Sequence, residues 1–544
     1  MPSKDTILGA SLGQDVHVAG VLSFLRLAEK ADYEVEFLGP ATSVQHIVER
    51  ASETRPTIIA VGYRLSPDPL ISVLADLKAA LADSGLSDTR LCFGGTPAVK
   101  DVAEASGLFE AIFTGQEPPG AGMAYLRGSA DADETLGFAD TLVERVANAA
   151  PWPILRHHFG PPTLEEMIEG SRRLAESGML DVLSIAPDQN AQEHFFRPEN
   201  MVPELSGAGG SPFRQPADLR AVYDATRCGN YPLLRCYAGT RDLIEWAEVQ
   251  VETVNNAWAA LPLCWYSVLD GRSERLLVDS FAETQAAMAW YAERGIPVES
   301  NESHHWSMRE AHDTVAVVMG YLAAYNAKAM GVSTYVAQYM FGSPATVSRK
   351  MDLAKMLAKS ELIESLHDDR FTTIRETRQG ILAMCPDQEM AKGQLAASTV
   401  LQLQLRPGIY HVVGFCEGDH AATVEDIIES CKIVQGVIHD WIDGAPDMTA
   451  DPEIQARKAE LLDEAQLLLE AIRSLSDGDG DALVSPEVID RAIKIGLLDA
   501  PHLTGNPHAA GTVKTDAVNG AIRAIDPDSG NPLTETDRIA RILE

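Results

Sequence analysis

The chain has no closely spaced cysteines. Its seven (Cys92, Cys228, Cys236, Cys264, Cys385, Cys416 and Cys431) contain no C-x-x-C and no adjacent pair. That excludes a disulfide framework and reads as reduced core thiols. No hydrophobic run approaches the ~20 residues of a membrane span. Positive charge is scarce: 44 Lys and Arg stand against 79 Asp and Glu, a net charge of −35. Such a balance argues against nucleic acid or an anionic membrane as partner. A calcium loop is also missing, because Asp477-Gly-Asp479-Gly-Asp481 continues with Ala482 and Val488 where a glycine and a glutamate are required. The opening Met-Pro-Ser-Lys-Asp carries no signal-peptide pattern, so a cytoplasmic location is expected.

What is present is core-forming material. Hydrophobic residues make up 45% of 544 residues. The length suggests about three domains of roughly 150 residues, or fewer if one is a barrel. The chain is organised around residues 5–20. Ile7 and Leu8 read as a short buried strand, Gly9, Ala10, Ser11 and Gly13 as a small-residue loop, and Val18 onward as a helix. This puts Asp15 and His17 at the carboxyl end of a strand, where open α/β sheets bind ligands. A neutral histidine is a good metal ligand, and a carboxylate on its other ring nitrogen fixes the tautomer. Further strands are expected at Tyr33–Leu38, Thr57–Tyr63, Arg90–Phe93 and Leu108–Thr114, with helices at Val44–Ser52 and from Pro69 to Ser84. The alternation implies a parallel, doubly wound sheet. Gly94-Gly95 and Gly115 stand where two strands leave the sheet and permit close backbone approach.

Asp15-x-His17-x-x-Gly20 with these glycines resembles the cobalamin-binding signature of the base-off, His-on family. The resemblance implies His17 as the lower axial ligand of cobalt, supported by Asp15, with Gly20, Gly62, Leu65, Gly94, Gly95 and Gly115 around the cofactor. Where that family usually has a serine after the third strand, this chain has Gly62.

Residues 126–150 are Gly- and Ala-rich with an acidic patch (Asp131, Asp133, Glu134) and read as a linker with one short helix. Beyond it, eight strands are expected at Ile154–His158, Val182–Ala186, Leu233–Tyr237, Leu261–Trp265, Val298–Asn301, Thr334–Gln338, Phe371–Arg375 and Tyr410–Phe415. A helix follows most of them. An open sheet is the alternative, but eight in succession favour a (β/α)8 TIM barrel. The strand ends carry Arg156, Asn190, Arg235, Tyr266, Glu299, Glu302, His304, Arg375-Glu376-x-Arg378 and Glu417-x-Asp419-His420, a polar ring suited to a small acid. Arginine forks match carboxylates, and Glu or Asp matches an ammonium. Consecutive strand residues point to opposite faces, so neither His157-His158 nor His304-His305 is expected to chelate one metal, and no convincing zinc set is found.

The tail, from about 446, opens with an amphipathic helix, Pro452–Leu475. Gly496-Leu-Leu-Asp499-Ala-Pro501, Gly511-Thr-Val-Lys514, Asn519-Gly520-Ala-Ile-Arg523 and Gly530-Asn531-Pro532-Leu533 resemble the carboxyl-terminal segment of the glutamate mutase (methylaspartate mutase) family. The resemblance implies an adenosylcobalamin-dependent carbon-skeleton mutase, a cytoplasmic isomerase that rearranges a small, amino-dicarboxylic or related acid by radical chemistry and forms a homo-oligomer such as a dimer. It divides the chain into a flavodoxin-like (Rossmann-like) cobalamin domain (1–125), the linker (126–150), a barrel (151–445) and a mutase-like segment (446–544). Candidate catalytic residues are Arg156 and Arg235 as a carboxylate clamp, with Tyr266, Glu299, Glu302, His304, Arg375 and Glu376. The family's arginine claw is incomplete, since Asn190 stands where an arginine is expected. Two readings remain beside it: a corrinoid-dependent methyltransferase, and a cobalamin-binding sensor without catalysis.

Overall fold

The computed structural model describes residues 5–117, 121–127, 138–442, 444–476 and 478–544. The acidic patch at 131–134 and Asp477 lie outside the described residues. The chain divides into two compact units, Met1–Phe138 and Ala139–Glu544.

In the first unit, strands and helices alternate: β1 (Thr6–Ser11), α1 (Ala19–Lys30), β2 (Glu34–Phe37), α2 (Val44–Thr54), β3 (Ile58–Tyr63), α3 (Pro67–Asp83), β4 (Arg90–Gly95), α4 (Pro97–Ser106) and β5 (Ala111–Phe113). The sheet is parallel with the order β2-β1-β3-β4-β5, a doubly wound order. All six residues of β3 are buried, as expected of a central parallel strand covered on both faces. Two glycines let α1 lie close to the sheet. A Cβ on Gly9 would fall 2.6 Å from Leu25 Cδ1, and one on Gly62 would fall 2.5 Å from Val21 Cγ2. Ser43 accepts a hydrogen bond from the His46 N–H and so caps α2.

The second unit holds β6 (Ile154–Phe159), β7 (Val182–Ile185), β8 (Leu233–Cys236), β9 (Ala259–Ala260), β10 (Val298–Glu299), β11 (Thr334–Phe341), β12 (Thr372–Gln379) and β13 (Ile409–His411). They form one parallel sheet in the order β8-β7-β6-β13-β12-β11-β10-β9. Backbone hydrogen bonds from Ala257 N to Leu234 O (2.9 Å) and from Ala238 N to Ala260 O (3.3 Å) join its two edges. The result is a nearly closed eight-stranded barrel, with consecutive strands adjacent all the way round.

Five elements differ from the sequence reading. The fourth strand is Ala259–Ala260, not Leu261–Trp265, and the helix expected to run from Leu243 to Ala260 stops at Val254. Leu261, Leu263, Cys264 and Trp265 are buried all the same, but in a loop beyond the strand. A helix at Pro216–Ala225 was not foreseen. Glu302–Ser307 is a short helix and not a strand end, so the alternation argument does not apply to His304-His305. Strand β12 runs on to Gln379, which moves its mouth past Arg375.

The tail packs on the barrel's helices. Leu461, Leu468 and Ile472 of the helix Pro452–Arg473 share a core with Val315, Leu322 and Leu353. Asp499 accepts backbone N–H groups from Gly511, Thr512 and Val513 at 2.8–3.1 Å, which folds the last segment back before the hairpin β14 (Thr515–Val518) and β15 (Ala521–Ala524). Among the described residues, no helix is long and apolar enough to cross a membrane.

Candidate functional site

In the first unit the chemistry collects in the loop between β1 and α1. Asp15 is fully buried, and Leu12 N, just beyond β1, bonds Gly62 O at the end of β3. One carboxylate oxygen of Asp15, Oδ2, accepts the Arg64 N–H at 2.5 Å, tying the loops after β1 and β3 together. The other, Oδ1, accepts the His17 N–H at 2.9 Å and lies 2.6 Å from His17 Nδ1. A carboxylate can only accept, so Nδ1 carries the proton and Nε2 keeps its lone pair. The His17 side chain is 51% exposed, and among the described residues Nε2 has no hydrogen-bond partner. The flanking side chains are apolar and exposed, Val16 at 63% and Leu65 at 38%.

The glycines divide into two kinds. Gly20, Gly94 and Gly115 have open space where a Cβ would stand, and Gly115 needs its glycine for φ 80°. Gly62 and Gly95 are filled from within, Gly62 by Val21 and Gly95 by Phe93 and Val99. Their lack of a side chain serves packing. The N–H groups of Thr114 and Gly115 are engaged by the Glu117 carboxylate at 2.9 Å.

In the second unit the expected site residues separate into three groups. Arg156, Arg235, Glu299 and Glu376 meet across the barrel interior. Arg156 donates to Glu376, to Ser184 Oγ (2.7 Å) and to Glu299 (3.4 Å). Arg235 donates to Glu299 at 2.9 Å, as does Trp258 Nε1 at 2.5 Å, and Gln338 bridges both carboxylates at 3.0 and 3.2 Å. All four charged residues are fully buried. Burial pushes Glu376 up to about 7 despite Arg156 beside it. For Glu299 burial acts the same way, but Arg235 and Arg156, with hydrogen bonds from Trp258 and Asn301, hold the carboxyl below its ordinary value. Barrel interiors are usually packed with branched apolar side chains. A layer of two arginines and two glutamates is a departure, and it leaves Arg235 Nε and Nη1 and Glu376 Oε2 without partners among the described residues.

Tyr266 and His304 belong to the second group, at the mouth. They line a cavity of about 220 Å³ with Tyr237, Arg272, His305 and Arg378. The Tyr237 ring stacks over the Arg235 guanidinium at 4.5 Å, so the ionic layer lies beneath the cavity and Arg235 does not open into it. Tyr266 is held at φ 62°, a conformation that costs a bulky residue roughly 1–3 kcal/mol and concentrates at functional sites. The Arg272 guanidinium lies over its ring at 4.5 Å. Burial, reinforced by neighbouring cations, pushes His304 and His305 well below the ordinary histidine value, so both are neutral. Arg378 makes one hydrogen bond, to Gln379 O at 3.3 Å, and among the described residues no carboxylate pairs with it. That fork is open to a ligand carboxylate.

The third group lies elsewhere. Arg375 faces outward and is bidentate to Glu364 at 2.5 and 2.8 Å, because neighbouring strand residues alternate and Glu376 takes the inner face. Glu302 is spent on its own fold: it accepts Leu263 N and Cys264 N at 3.1 Å and Trp306 Nε1 at 3.0 Å. The sequence reading placed both Arg375 and Arg378 at the mouth of this strand, and only Arg378 lines the cavity. The signal that would have separated them is strand length.

No protein-family model matches the chain. Among solved structures it is similar to a cobalamin-binding protein from Desulfitobacterium hafniense DCB-2, with 26% identity over 20% of this chain and a TM-score of 0.19. The chain spans about half the length of that protein, 53%. It is also similar to the apo form of the cobalamin-dependent S-adenosylmethionine radical enzyme OxsB, with 10% identity, 87% of this chain, 68% of that chain and a TM-score of 0.18. Scores this low establish neither fold nor function.

Proposed function

We propose that the chain is a cobalamin-dependent enzyme, an isomerase that rearranges the carbon skeleton of a small acid, with adenosylcobalamin held base-off through His17. The observation that carries the first half is the Asp15–His17 pair: a buried carboxylate fixes the Nδ1–H tautomer at 2.6 Å and leaves Nε2 exposed between apolar side chains. The donor set fits a histidine-ligated corrin, since a second carboxylate oxygen is already anchored on Arg64 N and keeps the ring in place. Val16 and Leu65 would meet its apolar surface, and Gly20, Gly94 and Gly115 leave room for close approach. Adenosylcobalamin, when bound, supplies a cobalt–carbon bond that breaks homolytically to begin radical chemistry.

The remaining work falls to the barrel residues. Arg378 grips a substrate carboxylate through its unpaired fork, with Arg272 as a second cation. Neutral His304 and His305 offer hydrogen bonds without adding charge. Tyr266 hydroxyl, which burial keeps protonated, donates to an acceptor on the substrate. Arg156, Arg235, Glu299 and Glu376 position this mouth from below.

Titration of the purified chain with adenosylcobalamin tests the reading. The expected result is an axial nitrogen splitting in the electron paramagnetic resonance of the cob(II)alamin form that changes when the protein's histidine is labelled with nitrogen-15, and its loss in His17→Ala. A splitting unaffected by the label overturns the assignment. A small amino or hydroxy acid should then induce an organic radical signal. Cycling through methylcobalamin with a methyl donor would instead give the methyltransferase reading.

A further inference from the structure

A second cluster of chemistry lies on the other side of the barrel mouth, and the cobalamin reading makes no use of it. Beyond β13 the chain makes a short turn, Phe415–Gly418, and then starts the helix Val424–Ile442. Cys416 lies in the turn, His420 in the loop and Asp426 in the first helical turn. One ligand atom from each lies within 4.8 Å of the other two. His420 is oriented as metal-binding histidines are: Nδ1 faces the Asp419 carboxylate at 2.9 Å, and Nε2 points at Asp426 Oδ2, 3.1 Å away. Cys416 is buried and Asp426 half-buried, while His420 is exposed at the edge of a cavity of about 910 Å³. A second, independent feature faces that cavity. His157 Nε2 lines it from β6, fully buried and without a hydrogen-bond partner among the described residues, with Glu417 Oε1 3.8 Å away.

We infer that Cys416, His420 and Asp426 form a zinc-binding site with an open coordination position toward this cavity. One thiolate, one imidazole and one carboxylate is a zinc donor set, and three protein ligands with a free fourth position is the pattern of zinc sites that bind a further ligand. His420 Nε2 and Asp426 Oδ2, 3.1 Å apart, stand close to the separation of two ligands on one tetrahedral ion with bonds of about 2.0–2.2 Å. Binding replaces the S–H bond of Cys416 with a zinc–sulfur bond and releases one proton to solvent. Asp426 also accepts the Thr423 N–H at 3.0 Å and so starts the helix, which is the purely structural explanation of its place. His420 pairs with Asp426 through Nε2, so without metal the three groups form an acid–histidine–thiol network, and zinc would take the place of the protons that link them.

The inference is independent of cobalamin and is tested on the full chain purified without corrinoid. After removal of metal by chelator, Zn2+ alone is added and competed with a chromophoric chelator, and Co2+ serves as an optical probe. One Zn2+ per chain is expected, with a thiolate-to-metal charge-transfer band in the Co2+ form. Cys416→Ser and His420→Gln should each lower zinc affinity at least about tenfold, and Asp419→Asn about 10–100-fold through the ring it orients. No retained zinc, unchanged affinity in Cys416→Ser, or a Co2+ spectrum without the thiolate band each overturns the site. Circular dichroism checks the fold of each variant, and should Cys416→Ser misfold, the Co2+ spectrum of the unmutated chain decides alone.

Discussion

The two units hold buried carboxylates in opposite ways. In the sheet unit Asp15 is satisfied by its own neighbourhood: the backbone and ring of His17, two residues away, and one N–H of the adjacent strand's loop. In the barrel, Glu299 and Glu376 are satisfied by Arg156, 143 and 220 residues distant in sequence, and Glu299 by Arg235, 64 residues distant. A loop carboxylate with backbone donors is stable wherever the loop folds. A carboxylate in an ionic layer is stable only when the whole barrel has assembled, and removing one member strands the others in a low-dielectric interior. The difference teaches where each unit is fragile: the sheet unit at its packing, the barrel at its charges.

The largest expected effect follows from that. Glu299→Ala should destabilise the second unit by about 3–5 kcal/mol, because Arg156 and Arg235 then share Glu376 alone. The readout is clean. All seven tryptophans (Trp152, Trp246, Trp258, Trp265, Trp290, Trp306 and Trp441) lie within Ala139–Glu544, so intrinsic fluorescence during urea unfolding follows the barrel unit without the sheet unit. An unchanged midpoint would mean that the ionic layer carries no structural weight, and the contrast between the units would fall.

A second test uses pH on the same layer. Burial raises Glu376 from 4.5 to about 7 in the folded state, so the folded protein binds the proton more tightly than the unfolded chain does. The stability this group contributes is complete below about pH 4.5 and is lost as pH rises toward 7. Gln cannot ionise. The stability of the unmutated chain minus that of Glu376→Gln should therefore decrease between pH 5 and 7 and level off above. A flat difference across that range would place Glu376 in an ordinary, solvated environment and contradict its burial.

The same contrast explains what the sequence disclosed. The sheet unit was legible because its strands are short apolar runs between helices, and Asp15 and His17 sit two residues apart. The barrel's count of eight was legible for the same reason, but its mouth was not. Leu261–Trp265 resembled a strand because it is buried, yet Glu302 holds that stretch as a loop through Leu263 N and Cys264 N. Arg375 seemed to be a rim residue because β12 was read four residues short, and strand alternation then sent Arg375 outward to Glu364. The pairing of Arg156 with Glu376 and the meeting of Cys416 with Asp426 depend on chain closure and on the angle of a following helix, neither of which spacing reveals.

The smallest effects are expected in the sheet unit, and they sharpen the comparison by separating packing from ligand within one pair of glycines. Gly62 and Gly94 face each other across β3 and β4 in register. A methyl group on Gly62 would fall 2.5 Å from Cγ2 of Val21, a stiff β-branched residue on the buried face of α1. Gly62→Ala should therefore cost about 1–3 kcal/mol through overpacking. A methyl group on Gly94 meets nothing within 4 Å, so Gly94→Ala should change stability by less than about 0.5 kcal/mol. Urea unfolding followed by far-ultraviolet circular dichroism measures both. Cofactor affinity should rank them the other way. If adenosylcobalamin runs close to the backbone at Gly94, the added methyl stands in its path and weakens binding in a protein as stable as the original. Equal adenosylcobalamin affinity in Gly94→Ala and the unmutated chain would mean that the open space beside β4 is not used, and the cofactor reading would then rest on the His17 loop alone.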